Sequence, residues 1–243
     1  MKSLLMSIKY SLIIFTRIKV ALFFSFIFPI LLLVVFGSIW GISDPDYLFF
    51  LVSGVTGLNL LSQGLYSTGT VIKQYYQQNT IKFLKSLPVN ILSYFIGLIL
   101  CRAIIVFASI GLLLLAVFIF FGHSFNGGEI ILLFTGSLFG IVMFSFMGLL
   151  ISFFGSFKPD KDSSREIGNL TYFVMIFLCD TFFPISQLNS VMGTISKFFP
   201  LTYLLKFFRN ENIVQSVIIM LVFTILFASL FLVLFKKRQI QRI

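Results

Sequence analysis

Long runs of apolar residues recur along this chain, and they constrain its fold more than any other feature. Each run can cross a hydrocarbon core of about 30 Å as a helix of roughly 20 residues. Inside lipid every backbone N–H and C=O needs a partner within the protein, and a helix supplies one along its own length. Only 11% of the residues are charged, against about a quarter in soluble domains. The pattern predicts an all-α integral membrane protein.

Six runs are predicted to span the membrane, and residues 1–243 are treated as one transmembrane domain. The spans cover residues 20–40, 47–70, 91–121, 129–154, 167–182 and 213–235. Residues 1–19 carry too much charge to span. Their apolar residues Leu5, Ile8, Leu12 and Phe15 follow helical spacing, which predicts a helix lying at the headgroup level.

Basic residues are concentrated on one side of this six-span layout. Fourteen of the eighteen Lys and Arg fall before the first span, in the loops 71–88 and 157–166, or in the C-terminal tail. The opposite turns carry Asp44, Asp46 and Glu129. Positive residues favour the cytoplasmic side, so both termini are predicted to be cytoplasmic. The net charge of +10 therefore reflects membrane orientation, and no nucleic acid partner is expected.

Two spans carry polar or distinctive residues at steps of three and four. In the second span these are Ser53, Thr56, Asn59 or Leu60, Gln63, Ser67 and Thr70; in the fifth span they are Asn169, Phe173 or Tyr172, Ile176 and Asp180. Polar side chains in lipid are costly and usually face other helices or a water-filled path. For the second span, hydrogen bonding between helices and the lining of a substrate path are equally favoured.

The segment 71–88 is polar, ends at Pro88 and keeps helical spacing among its aromatic residues. It is predicted to be a helix outside the membrane, either simply solvated or docked to a cytosolic partner. A second interruption, the hairpin of residues 183–210, breaks at Phe183-Pro184 and again at Phe199-Pro200 before reaching Arg209. The base count places this hairpin outside the cytoplasm. A plain helical bundle has no need of it.

Motifs for catalysis are missing from the sequence. It contains no G-x-x-x-x-G-K-S/T phosphate loop, no H-E-x-x-H and no cysteine cluster. His123 is the single histidine, so it has no second imidazole for a metal site. We expect no enzyme, no metal and no cofactor in this chain.

The hairpin and the 71–88 segment together resemble the type 2 ABC exporter permeases. The hairpin carries F-F-P-I-S-x-L from Phe182 and F-P-L-T-Y from Phe199. Residues 76–88 are similar to the family's R-E-x-G-T-x-E-x-L-x-x-x-P segment: Thr80, Leu84 and Pro88 match, whereas Gln77, Gln78, Asn79 and Lys82 depart from it. The resemblance covers nearly the whole chain.

The resemblance implies a bacterial plasma-membrane exporter with six spans, a cytosolic coupling helix at 71–88 and an extracytoplasmic re-entrant hairpin. It implies two permease copies, as a homodimer in lipid, with two separate ATPase subunits that hold ATP and Mg. The implied ATPase-coupling residues are Tyr75, Tyr76, Thr80, Lys82, Phe83, Leu84 and Lys85. The implied outer gate is Phe183, Pro184, Phe199, Pro200 and Arg209. The implied substrate path is Ser53, Thr56, Asn59, Gln63, Ser67, Asn169, Phe173, Ile176 and Asp180.

Several alternatives stay open at this point. Two Asp180 copies could meet across a dimer axis, or Asp180 could pair with Arg209 or Lys206 and anchor the hairpin. The favoured substrate is an amphipathic or hydrophobic molecule, such as a peptide toxin, a bacteriocin or a drug. Other functional classes are a secondary transporter, and a non-transporting immunity or scaffold protein without an ATPase partner.

Overall fold

The computed structural model describes residues 2–41, 45–69, 71, 73–74, 91–154, 164–184 and 190–240, and most of these are helical, with no strand among them. The helices are α1 (Lys2–Arg17), α2 (Lys19–Gly41), α3 (Pro45–Ser62, continued by a π-helix over Gln63–Gly69), α4 (Ile91–Phe121), α5 (Gly127–Phe154), α6 (Ser164–Leu178), α7 (Ser190–Ser196), α8 (Pro200–Phe208) and α9 (Ile213–Ile240).

Five of these helices are long and apolar enough to cross a membrane. The membrane-length stretches are Lys19–Gly41, Asp46–Gly69, Ile96–Phe121, Gly127–Phe153 and Ile213–Phe235. They correspond to the first four predicted spans and the sixth, and they make this a multi-pass membrane protein.

The fifth predicted span forms a shorter helix than expected. Helix α6 contains 15 residues and ends at Leu178, four residues before the predicted end of that span. At 1.5 Å per residue it is about 22 Å long, which is less than the hydrocarbon core. Helix length alone therefore supports five spans among the described residues, and the sixth stays a prediction.

Helix α3 forms the centre of the bundle, and glycines allow its neighbours to approach it closely. A Cβ atom added to Gly148 of α5 would lie 2.1 Å from the carbonyl oxygen of Gly64 in α3. One added to Gly64 would lie 2.4 Å from Cβ of Phe144. Any residue with a Cβ atom at these two positions would force the backbones apart, so the glycines permit the close contact between α3 and α5.

Helix α8 of the hairpin is part of the core rather than a surface segment. Its residues Leu201, Leu204 and Phe208 are fully buried. The Gly136/Gly140 pair of α5, a small-xxx-small motif, faces this helix: Gly136 lies against Phe208, and Gly140 lies against Leu204. The motif therefore accommodates the hairpin, and Gly148 mediates the contact between two membrane-length helices.

Helix α1 packs along α4 through a narrow face formed by two serines and a phenylalanine. Ser7, Ser11 and Phe15 are buried, and Ser7 lies against Gly97. Leu5, one of the apolar residues that predicted an interfacial helix, is exposed. The apolar surface of α1 is thus left free to contact lipid headgroups and acyl chains.

Candidate functional site

Arg209 fastens the hairpin to the centre of the bundle. Its Nε donates a hydrogen bond to Ser53 Oγ at 2.9 Å, and its Nη2 donates to the backbone carbonyls of Phe50 at 3.2 Å and Asp180 at 2.6 Å. The guanidinium carbon lies 3.6 Å from the centroid of the Phe50 ring. One side chain therefore joins the end of α8, the wall of α3 and the chain just after α6. We call this set of contacts the Arg209 latch.

The charge of Arg209 is held in a desolvated position. Burial lowers the pKa of Arg209 to about 10, and the charges of Asp180 and Glu211 oppose that decrease. A group with this pKa remains protonated at neutral pH, so the latch keeps its cation. The contact that the structure gives between the two residues is to the backbone carbonyl of Asp180, and side-chain pairing of Asp180 with Arg209 stays a prediction.

Aromatic residues surround the same end of the bundle. Phe182 stacks on Phe36 with ring centroids 4.8 Å apart, and Phe183 meets Trp40 edge-on at 5.1 Å. Tyr47 Oη donates to the carbonyl of Phe182 at 3.1 Å. These contacts place the first break of the hairpin on α2 and α3.

The remaining predicted gate residues differ in burial. Pro184 and Phe199 are half-buried, and Pro200 is buried as the first residue of α8. Proline suits this position because its missing N–H would have no helical partner there. The fixed turn at Phe199-Pro200 directs α8 back into the core.

Asn59 and Gln63 of the polar stripe of α3 face α2 and α4 of their own chain. Asn59 Nδ2 donates to Ser109 Oγ at 2.8 Å and to the Ser25 carbonyl at 3.2 Å. Gln63 Nε2 donates to Ser25 Oγ at 2.8 Å, and Ser109 Oγ donates to the Ser25 carbonyl at 2.9 Å. We call the group of Ser25, Thr56, Asn59, Gln63 and Ser109 the polar seam.

Pro29 explains why the Ser25 carbonyl accepts these bonds. In an α-helix the carbonyl of residue 25 would accept from the N–H of residue 29, and proline has no N–H. The helix is π-helical over Phe23–Ile27, just before this proline. Side chains of α3 and α4 supply the missing donors. Ser25 and Ser109 were missed in the sequence, although a proline inside a span was the signal that a carbonyl four residues earlier needed a partner.

The other predicted path residues lie in different surroundings. Asn169 Oδ1 accepts from Tyr66 Oη at 2.8 Å, which joins α6 to α3. Ser67 and Ile176 are half-buried, whereas Phe173 is exposed. Ser53 and Asp180 both meet the Arg209 latch. The nine residues therefore do not surround one cavity, and their path role stays a prediction.

A second link between α3 and α6 lies at the opposite end of the bundle from the latch. Lys73, shortly after α3, is buried, and its Nζ donates to Ser164 Oγ at 2.9 Å. Ser164 is the first residue of α6. The predicted coupling residues Tyr75, Tyr76, Thr80, Lys82, Phe83, Leu84 and Lys85 follow Lys73 and lie outside the described residues.

Comparison with known proteins gives one family. The family model for the ABC-2 type transporter matches residues 2–211. This match includes α1 to α8 and thus the latch, the polar seam and the Lys73–Ser164 contact. A search of curated proteins found no match.

Proposed function

The chain belongs to the ABC-2 type transporter family, and we propose that it works as an exporter of amphipathic or hydrophobic molecules. Membership makes it the transmembrane subunit of an ABC-type transporter, with ATP hydrolysis in a separate subunit. The direction of transport, the substrate and the arrangement of subunits are the proposal. Both termini would face the cytoplasm of a bacterial plasma membrane, α6 would form the short fifth span, and the hairpin would lie on the outer side.

One observation carries the proposal: α3 is connected to α6 at both of its ends. At the proposed inner end Lys73 meets Ser164, and at the proposed outer end Ser53 and Asp180 meet through Arg209. An exporter must transmit motion from cytosolic ATPases to an outer gate. A rigid central helix fixed to the same partner helix at both ends suits that task.

The proposed inner contact places a buried cation where the coupling helix would begin. Residues 71–88 would dock on the ATPase, and their displacement would pull on Lys73 and so on the start of α6. The hydrogen bond from Lys73 Nζ to Ser164 Oγ joins the two segments inside the protein, so we expect Lys73 and the start of α6 to move together. We therefore assign Lys73 a positioning role in coupling.

The substrate path is proposed to run between two copies of the chain. Leu170, Phe173 and Phe177 of α6 are exposed and recur at helical spacing, which gives an apolar wall suited to hydrophobic or amphipathic cargo, such as a peptide toxin or a drug. Ser53, Thr56, Asn59 and Gln63 are buried in their own chain. They would join the path only in a state where α2 or α4 has moved away from α3.

Co-purification tests the proposal directly. The chain is expressed with a candidate ABC ATPase, sought first among the neighbouring genes, and the complex is reconstituted in nanodiscs for ATP hydrolysis with candidate peptides, drugs and lipids. We expect a complex with two ATPase subunits whose hydrolysis a hydrophobic or amphipathic candidate stimulates. Charge reversal of Lys82 and Lys85 should weaken the complex, whereas reversal of Lys206 in the hairpin should not.

Two outcomes would contradict the proposal. The first is a chain that purifies without any ATPase while the Lys82 and Lys85 variants behave like the unmodified protein. The second is a complex whose substrate moves inward when ATP is supplied to the ATPase side of vesicles.

A further inference from the structure

Three oxygen atoms of the polar seam have no hydrogen-bond partner among the residues that the structure describes. They are Thr56 Oγ1, Asn59 Oδ1 and Gln63 Oε1. Their residues are only 1% to 5% exposed. Because they are three and four positions apart on α3, the three atoms lie along one face of the helix.

The seam cannot satisfy all of its own polar atoms: turning the Gln63 amide over would let Oε1 accept from the Ser25 hydroxyl, but it would leave Nε2 without that acceptor. Asn59 Nδ2 is used on Ser25 and Ser109, Gln63 Nε2 is used on Ser25 Oγ, and Ser109 Oγ is used on the Ser25 carbonyl. Turning the Asn59 amide over would point its Oδ1 at the Ser25 carbonyl, so that one acceptor would face another. Lipid chains donate no hydrogen bonds. A buried acceptor without a donor is strongly unfavourable.

We infer that the polar seam binds internal water molecules. A water molecule brings two O–H donors, which is what two orphan carbonyl oxygens need. Asn59 and Gln63 lie one helical turn apart, with Cβ atoms about 6 Å from each other, so that one water can bridge Asn59 Oδ1 and Gln63 Oε1. A second water can donate a hydrogen bond to Thr56 Oγ1. Buried waters typically make about three such bonds.

A neutral ligand fits the seam better than a metal cation. All five residues of the seam are uncharged, and the amide hydrogens of Asn59 and Gln63 point towards Ser25 at its centre. A cation at that centre would face the positive ends of the N–H dipoles. Water can present an oxygen to a donor and its hydrogens to the orphan acceptors.

The position of the seam gives the water a mechanical role. Asn59 is near the middle of Asp46–Gly69, and Ser109 is near the middle of Ile96–Phe121, so the seam lies near the centre of the membrane-length helices. Helix α2 is interrupted there by its π-helical turn and Pro29. Water can change partners as helices shift, and the seam is therefore where α2 can move against α3 without leaving polar groups unpaired.

Water-edited solid-state NMR on the full chain in lipid bilayers tests this inference. The probes are the side-chain amides of Asn59 and Gln63, assigned by their loss in Asn59→Leu and Gln63→Leu. We expect magnetisation transfer from water to both amides several-fold faster than to the backbone amides of Leu113 and Leu133, which are fully buried on α4 and α5. Transfer as slow as that to Leu113 and Leu133 would overturn the inference.

Thr56→Val provides an independent measurement, because valine keeps the shape of threonine and removes the hydroxyl. If the Thr56 hydroxyl is hydrogen-bonded to water, its removal loses a stabilising hydrogen bond, so the Tm should fall by a few degrees. Thr202→Val is the matched control, since Thr202 Oγ1 donates to the Ser196 carbonyl at 2.6 Å and its loss must lower the Tm. An unchanged or higher Tm for Thr56→Val would show a dry hydroxyl and contradict hydration at that position.

Discussion

Helices α3 and α9 are both membrane-length, yet they occupy opposite environments. In α3 an 18-residue window has a mean hydropathy of 1.5, and 83% of its residues are buried; in α9 the corresponding window has a mean hydropathy of 3.1, and 6% of its residues are buried. In a water-soluble protein this order would be reversed. In this molecule the least apolar membrane-length helix is the one that the others surround.

The difference follows from the solvent. Lipid chains are about as apolar as leucine, so an apolar side chain gains little free energy by leaving them. Close backbone contact and hydrogen bonds between helices decide what is buried, and α3 supplies both through its glycines and its polar stripe. Helix α9 offers neither, and it packs at the edge.

The largest effect is expected where the α3 backbone meets α5. Gly148→Ala would place a Cβ atom 2.1 Å from the Gly64 carbonyl, so the two helices must separate at a cost of about 3 kcal/mol. Gly111→Ala on α4 is the control, because a Cβ there meets no atom within 4 Å. Thermal unfolding in nanodiscs measures both. If Gly148→Ala were as stable as Gly111→Ala, close packing would not explain the central position of α3.

The next effect concerns the latch between α3 and the hairpin. Arg209→Met removes three hydrogen bonds and leaves the carbonyls of Phe50 and Asp180 without this donor, at a cost of about 2 kcal/mol. Cys179, which is buried beside α8, should then react faster with a membrane-permeant thiol reagent. Lys206→Met on the same helix is the control and should leave that rate unchanged. Equal rates in the two variants would contradict a specific latch.

A smaller effect is expected from the polar bonds between α3 and α2. Asn59→Leu takes a donor away from the Ser25 carbonyl and should cost about 1.5 kcal/mol. Pro29→Ala restores an N–H four residues after Ser25, so the double variant should recover about 1 kcal/mol relative to additivity. Additive losses would show that the second donor, Ser109 Oγ, satisfies the Ser25 carbonyl by itself and that Asn59 does not replace the donor that Pro29 lacks.

The smallest effect is expected on α9. Ile225 is 67% exposed and should contact lipid, so Ile225→Ala should change the unfolding free energy by less than about 0.5 kcal/mol. A loss above about 1 kcal/mol would instead mean that a second copy or another subunit covers this face of α9. Repeating the measurement at high dilution in detergent separates contact with lipid from contact with another chain, because only the second depends on protein concentration.

Much of the candidate site was visible in the sequence, but its spatial arrangement was not. The breaks at Phe183-Pro184 and Phe199-Pro200 predicted a hairpin that ends near Arg209; α7 lies between the two breaks, and α8 follows the second. That Arg209 reaches Ser53, 156 positions earlier, could not be predicted, because apolar runs carry no information on which helices are neighbours. The end of α6 at Leu178 was missed because the predicted span was extended to Phe182, although Asp180 and Thr181 interrupt the apolar run.

The sequence by itself determined that the chain crosses a membrane, where most of its helices begin and end, and the family to which it belongs. Those features follow from the length and polarity of single segments, since each helix satisfies its own backbone in lipid. Only the tertiary structure decided that a nine-residue helix of the hairpin is core, and that Asn59 and Gln63 of α3 face α2 and α4 of their own chain. It also decided that Asn59 and Ser109 donate to the carbonyl four residues before a proline in α2. Such contacts depend on which backbones can approach each other. Which helices become neighbours depends on glycines in one helix and on unpaired carbonyls in another. These features lie on different segments, so no single segment of the sequence reveals the contact.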